Sequence, residues 1–277
     1  MQIYTVSISG VIELRRALLL LKTVLKDQAR SLDFLLILIL LLAYYSFYYK
    51  TGGSIAKNGE RINVLAPFSI SFLSRDFKLI TYCGLIMVIS DIFNRKKNLM
   101  FHIVRMNVKE WYYEQILCLV VEVIGYFLVV LLMQMIFYYN VLSISGSWGS
   151  GIENGTYFTG AMYIDESLLG MNVITAFLRA FVLSCALGLL FGCICMLADV
   201  MAFRKIGPVI CLALLVWNLI INNSTQMLPK VFSPVGMVES YTDESFLAAM
   251  AVFAVEIVLL MGIIRIRIHR GLRDSLV

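Results

Sequence analysis

Long apolar runs recur along almost the whole chain, and they constrain its fold more than any other feature. Six such runs occupy residues 32–49, 78–93, 116–139, 171–197, 206–222 and 246–264. Most of them approach or exceed the ~20 residues that an α-helix needs to cross a ~30 Å hydrocarbon core. Their uninterrupted Leu, Ile and Val residues lack the alternation typical of transmembrane barrel strands. The runs therefore predict six transmembrane helices.

The composition excludes a water-soluble globular domain. Hydrophobic residues make up 60% of the 277 residues and charged residues only 15%, against ~45–50% and ~25% in soluble domains. The net charge of +5 does not indicate a nucleic-acid partner, because the cations flank the apolar runs instead of forming a separate binding face. We predict an all-α polytopic membrane protein embedded in a lipid bilayer.

The distribution of Lys and Arg predicts the orientation of the chain, because short cytoplasmic loops are enriched in these residues. With six spans, 16 of the 23 Lys and Arg residues fall on the side that holds both chain ends. Six, including Lys78, fall on the other side, and Arg179 lies within a span. Both termini are therefore predicted to be cytoplasmic. We expect a multi-pass protein of the cell membrane, most simply of a bacterial plasma membrane.

These predictions divide the chain into three regions: a cytoplasmic segment 1–31, a transmembrane domain 32–264 and a basic cytoplasmic tail 265–277. In the first region, apolar residues recur at helical spacing from Val11 to Leu25, and Arg and Lys residues occupy much of the remainder. This pattern favours an amphipathic helix in the inner membrane interface. A solvated cytoplasmic leader is the alternative.

The chain lacks the residue patterns of common enzyme and metal sites. Each of the six cysteines falls inside a predicted span, as small packing residues do. Cys193 and Cys195 point to different faces of a helix, and both histidines, His102 and His269, lie on predicted cytoplasmic segments. No phosphate-binding loop of the Gly-x-x-x-x-Gly-Lys type is present. We predict neither an enzyme nor a cofactor in this chain, so any ATP use requires a partner.

The predicted cytoplasmic loop 91–115 contains a short amphipathic pattern. Its apolar positions are Leu99, Met100, Ile103 and Met106, and its polar face is formed by Arg95, Lys96, His102 and Arg105. An amphipathic segment of ~2 turns in the cytoplasm is a surface for another protein. A basic loop that binds lipid headgroups explains the same residues equally well.

The arrangement as a whole resembles the permease subunits of ABC transporters of the type-2 exporter class. The shared features are an N-terminal amphipathic helix, six spans with both ends inside, and an acid, Asp91, followed by basic residues. A short helix, a turn at 106–108 and the sequence Lys109-Glu110-Trp111-x-x-x-Gln115-Ile116 at the start of the third span complete the pattern. The family more commonly has Glu near the place of Asp91, Gly-Thr before the short helix and Pro in the turn.

The resemblance implies a function. Residues 95–109 would form a coupling helix seated in a groove of a separate ATP-binding cassette subunit, which would hold ATP and magnesium. The coupling residues would be Arg95, Lys96, Leu99, Met100, Ile103, Arg105 and Met106. A second copy of the chain, or a sister permease, would form the other half of the translocation path. An ion-coupled carrier, a channel and a non-transporting scaffold are the competing classes, and no sequence feature indicates the cargo.

Three ionisable residues, Glu122, Arg179 and Glu256, lie inside predicted spans. Charged groups are costly at this depth and usually have a functional or structural role. Counted from the external ends of their spans, Arg179 and Glu256 lie at similar depths of ~12 Å and ~15 Å. We therefore expect them to pair, either as an ion pair between helices or as part of a substrate path. Glu122 lies nearer the cytoplasmic end.

Overall fold

The computed structural model describes residues 37–44, 58–95, 108–154, 166–201, 206–224, 233–238 and 243–274, which are mostly helical. The helices are α1 (37–44), α2 (Ala66–Ser71), α3 (Arg75–Arg95), α4 (Val108–Tyr138), α5 (Ser150–Glu153), α6 (Glu166–Leu169), α7 (Val173–Val200), α8 (Ile206–Ser224), α9 (Pro234–Met237) and α10 (Asp243–Asp274). Two short strands, β1 (Ile62–Asn63) and β2 (Leu142–Ser143), pair in parallel.

Three of the described helical segments are long and apolar enough to cross a membrane. They are Tyr112–Tyr138, Val173–Val200 and Glu244–Ile268, within α4, α7 and α10, and they coincide with the third, fourth and sixth predicted runs. The apolar part of α8, Ile206–Asn218, is shorter. The described part of the chain is therefore mostly helical, as predicted, and its three long apolar helices are compatible with a membrane protein. The predicted N-terminal amphipathic helix lies outside the described residues.

The region around the second apolar run folds as two helices with a break between them. Pro67 lies in the first turn of α2, where its missing N–H group removes no helical hydrogen bond. After Ser74 the chain starts again as α3, and the Ser74 hydroxyl accepts a hydrogen bond from the Phe77 N–H at 3.4 Å. Arg75 and Asp76, the first residues of α3, are exposed. The polar residues thus mark the start of the longer helix.

Helix α7 is the central element of the bundle, and α10 lies at its periphery. The Asn172 side chain caps α7 by accepting a hydrogen bond from the Ile174 N–H at 2.9 Å. From there α7 contacts α2, α3, α4, α8 and α10. In its apolar window 67% of the residues are buried, whereas the corresponding share in α10 is 17%. Most of the surface of α10 is therefore free to contact lipid or another protein.

Aromatic rings fill the interior where α2, α3, α4 and α7 meet. Phe72, at the end of α2, is surrounded by the rings of Phe68, Phe77, Tyr82 and Phe127. The ring centroids lie 4.9 to 6.1 Å from that of Phe72, within the range of favourable aromatic pairs. All five side chains are fully buried. This cluster holds the short α2 against the long helices.

A small polar cap joins the ends of α4 and α7 on one side of the bundle. The Asn63 side-chain amide in β1 donates to the backbone carbonyls of Ser145 and Ser147. The Trp148 indole N–H donates to the Met171 carbonyl at 2.9 Å, just before α7. Gly149 follows with φ of +96°, in close contact with the backbone of β1, so a side chain would not fit there.

Candidate functional site

The predicted coupling segment connects the ends of two long helices. Arg95 is the last residue of α3, and α4 begins at Val108. The other predicted coupling residues, Lys96, Leu99, Met100, Ile103, Arg105 and Met106, lie outside the described residues. The structural description of the site is therefore based on the end of α3 and the start of α4, which flank the segment.

The first turns of α4 are attached to the last helix of the bundle. The Tyr112 hydroxyl donates a hydrogen bond of 3.0 Å to the backbone carbonyl of Met261 in α10. Its neighbour Tyr113 is 63% exposed, and the two rings are 5.7 Å apart. The side chain of Arg265, one turn after Met261, lies within electrostatic range of the Tyr112 hydroxyl. A movement at the start of α4 would therefore act directly on α10.

Glu122 lies on the packed side of α4, not on its lipid-facing side. Its side chain is 4% exposed, and it lies one turn before Tyr126, whose hydroxyl donates to the Thr81 carbonyl of α3 at 2.7 Å. Gln115 and Gln134 of α4 are buried as well, and the Gln134 amide donates to the Ser71 hydroxyl at 3.1 Å. Polar groups of α4 thus face protein neighbours, as expected for a membrane helix.

Arg179, near the start of α7, contacts the first turns of α10. Its guanidinium carbon lies 5.4 Å from the centre of the Phe246 ring, a cation–π distance. One guanidinium nitrogen lies 3.4 Å from the Met171 sulfur. The side chain is partly buried. Arg179 therefore lies close to the polar cap, because the Met171 carbonyl accepts the hydrogen bond from the Trp148 indole.

In the structure Arg179 contacts Phe246 and not Glu256, so the pairing expected from their depths is not seen in this conformation. Glu256 lies ten residues after Phe246 in the same helix, which corresponds to ~15 Å along the axis. One of its carboxylate oxygens, Oε2, is buried without a hydrogen-bond partner. The reason for the difference is the true start of each helix: α7 begins two residues later and α10 three residues earlier than the predicted runs.

Lys78 is a buried charged residue that the sequence analysis assigned to the external side. It is 2% exposed and lies in the first turn of α3. Tyr82, Leu85 and Ile89 follow it at spacings of four, three and four residues, and all three are fully buried. This helical periodicity places Lys78 on the packed face of α3. The sequence contained this helical spacing, which indicates a buried face. The spans were assigned from the length of the apolar runs alone, and run length does not include the spacing.

The cysteines form one close pair, which is not the pair adjacent in sequence. Cys195 of α7 and Cys211 of α8 have their sulfur atoms 3.7 Å apart, and both side chains are buried. Cys193 lies on a different side of α7, within electrostatic range of Tyr112. None of the six cysteines forms a disulfide bond. In the described part of the chain, no three His, Cys, Asp or Glu residues are grouped as metal ligands would be.

Comparison with known proteins identifies no relative. The chain matches no protein-family model, no curated protein and no solved structure.

Proposed function

We propose that this chain is the permease subunit of an ATP-driven ABC exporter of the type-2 class, and that residues 95–109 couple it to a separate ATP-binding subunit. ATP and magnesium bind to that subunit. The chain dimerises with a second copy or a sister permease to enclose the translocation path. Its cargo crosses the bilayer between the two permeases.

The observation that carries this proposal is the hydrogen bond between Tyr112 and Met261 at the start of α4. The amphipathic segment precedes this turn directly, and α10 is the least buried of the three long apolar helices. A partner that pushes on the segment would thus move α4 and α10 together. Such a link supports a coupling role more than a loop that only binds lipid headgroups.

The proposed topology has six spans, both termini in the cytoplasm and an amphipathic helix on the inner surface before the first span. Three long apolar helices and the shorter α8 support four of the spans. Residues 37–44 are helical and α3 is 21 residues long, which supports the other two. We propose the cell membrane of a bacterium as the location.

Replacement of Ile103 by Asp tests the coupling role. A carboxylate on the apolar face of the segment would have to be desolvated at the contact with the ATP-binding subunit. We expect Ile103→Asp and Leu99→Asp to insert normally but to lose co-purification with the ATPase and stimulation of its turnover. The measurement is co-purification of a phosphate-loop ATPase encoded beside this chain, followed by ATPase assays in vesicles.

The matched control is Ile144→Asp, the same chemical change at a residue that is 96% exposed next to β2. This variant should bind and stimulate the ATPase as the wild type does. If complex formation and stimulated hydrolysis both survive Ile103→Asp and Leu99→Asp, the segment does not couple the subunits. If no ATPase binds even the wild-type chain, the carrier, channel and scaffold classes replace the exporter.

A further inference from the structure

Glu256 lies at the centre of the last membrane helix. The apolar segment of α10 runs from Glu244 to Ile268, so Glu256 is twelve residues from each end. At 1.5 Å per residue this is ~18 Å from either end. The half-thickness of the hydrocarbon core is ~15 Å. The carboxyl group is therefore at the level of the bilayer where water is scarcest.

The immediate surroundings of Glu256 are apolar. Phe253, one turn earlier on the same side of α10, is 1% exposed and packs into the core. Val255 and Leu259, which flank Glu256 away from Phe253, are exposed apolar residues. Glu256 itself is half-buried at the edge of the packed face, and its Oε2 atom is buried without a hydrogen-bond partner. Neither lipid nor the neighbouring side chains thus offer this oxygen a hydrogen bond.

None of the charged or titratable groups on the elements packed against α10 neutralises this carboxyl group. Helix α9 has no such residue, and Tyr112 of α4 donates to the Met261 carbonyl instead. The groups on α7 are Arg179, Cys185, Cys193, Cys195 and Asp199. Arg179 contacts Phe246, and Asp199 is an acid. On α10 itself, Arg265 is nine residues away.

We propose that Glu256 is a proton-binding site, neutral in this conformation, which exchanges its proton only when α7 and α10 separate enough to admit water. An ionised carboxylate without a counter-ion is far more costly in an apolar interior than a protonated one. Proton loss therefore requires a conformation in which water or a cation reaches the centre of the helix. This inference goes beyond the proposed function and does not depend on an ATP-binding partner.

The proton site predicts the direction of a pH effect on conformation. In the closed conformation, which is the one in the structure, Glu256 is a neutral carboxyl group. In the hydrated conformation, in which water enters between α7 and α10, it is a carboxylate. The two conformations therefore bind different numbers of protons. A higher pH therefore shifts the population toward the hydrated conformation, and a lower pH toward the closed one. In Glu256→Gln the side chain has no proton to lose, so this contribution to the pH effect disappears.

Infrared spectroscopy of the full-length protein in vesicles of neutral lipid tests the protonation state. At neutral pH, the difference spectrum of wild type minus Glu256→Gln should contain the C=O stretch of a protonated carboxyl group. Glutamine is neutral and of similar size, so the variant should keep the melting temperature of the wild type. Carboxylate bands in place of the C=O stretch would overturn the proposal.

A second measurement uses dicyclohexylcarbodiimide, an apolar reagent that modifies protonated carboxyl groups inside membranes. Mass spectrometry should find the adduct at Glu256 in large excess over Glu244, the matched control at the exposed end of the same helix. Modification of Glu256 should fall as the pH rises, because more protein molecules then adopt the hydrated conformation, in which Glu256 is a carboxylate that the reagent does not modify. Equal modification of the two residues, or an excess at Glu244, would show that Glu256 has no special affinity for a proton.

Discussion

Arg179 and Glu256 are two separate sites in the structure, and their separation can be measured. Arg179 contacts Phe246, and Glu256 lies ~15 Å further along α10. We expect Arg179→Met and Phe246→Leu each to reduce thermal stability in detergent. A double-mutant cycle between them should give a coupling energy of ~0.5–2 kcal/mol, the range of cation–π contacts. Arg179→Met combined with Glu256→Gln should be additive within ~0.5 kcal/mol.

Thermal unfolding of the three single and two double variants separates this arrangement from an ion pair. An ion pair between Arg179 and Glu256 would make the double variant less damaging than the sum of its parts, because each single change strands a buried charge. A coupling energy above ~1 kcal/mol between these two residues would contradict the observed contacts. If the double-mutant cycle between Arg179 and Phe246 shows no coupling energy, the cation–π contact does not stabilise the position of Arg179.

At the scale of single residues, the sequence predicted which charged residues lie within long helices, but not which residues they contact. Glu122, Arg179 and Glu256 are all in the long helices, as the apolar runs indicate. Their partners depend on helix starts that the runs locate only to within two or three residues. From the observed starts, Arg179 is ~9 Å and Glu256 ~20 Å into its helix. Two small errors of opposite sign therefore changed similar depths into different ones.

At the scale of elements, the crossing of α7 and α8 depends on Gly207. A Cβ atom at this position would lie 2.9 Å from the Cα of Cys195 and 3.0 Å from the Cβ of Ala198. The first of these atoms belongs to the backbone, so a side-chain rotation cannot relieve the contact. We expect Gly207→Ala to lower the stability of the helix pair by ~1–3 kcal/mol, as overpacking does. Thermal unfolding in detergent measures the change.

Two other glycines provide controls for this substitution. Gly125 in α4 and Gly262 in α10 have no atom within 4 Å of an added Cβ. Alanine at either position should leave stability unchanged or raise it by up to ~1 kcal/mol, because alanine favours a helix more than glycine does. Equal losses at Gly207 and at the two controls would indicate a general effect of the substitution and not a close crossing.

The elements themselves were predicted better than their interruptions. Four helices, α4, α7, α8 and α10, cover the last four apolar runs. The second run gave no indication of how completely the preceding α2 is buried, because hydropathy measures the preference for an apolar environment and not the path of the backbone. The run likewise gave no indication that Lys78 is buried. Its position on a buried stripe depends on periodicity within α3, and the length of the run does not contain that information.

At the scale of the whole molecule, hydropathy does not distinguish the central helix from the peripheral one. The apolar segments of α7 and α10 are almost equally hydrophobic, yet 67% of the first and 17% of the second are buried. In a membrane, lipid and protein interior are both apolar, so the same side chains suit either environment. The arrangement of the helices is consequently set by small residues and polar contacts, such as Gly207 and the bond from Tyr112 to Met261.

The proposed orientation of the whole molecule can be tested with single cysteines in a variant that lacks the six native ones. Because 16 of the 23 Lys and Arg residues lie on the side of the chain ends, Ser147 and Ser240 should be external and Ser275 cytoplasmic. Ser147 is exposed beside the polar cap, so a thiol there is accessible to solvent. We expect an impermeant thiol reagent to label Ser147→Cys and Ser240→Cys in intact cells, and Ser275→Cys only after permeabilisation. Labelling at position 275 in intact cells, with position 147 protected, would reverse the orientation and place the coupling segment outside, where no ATP-binding subunit could reach it.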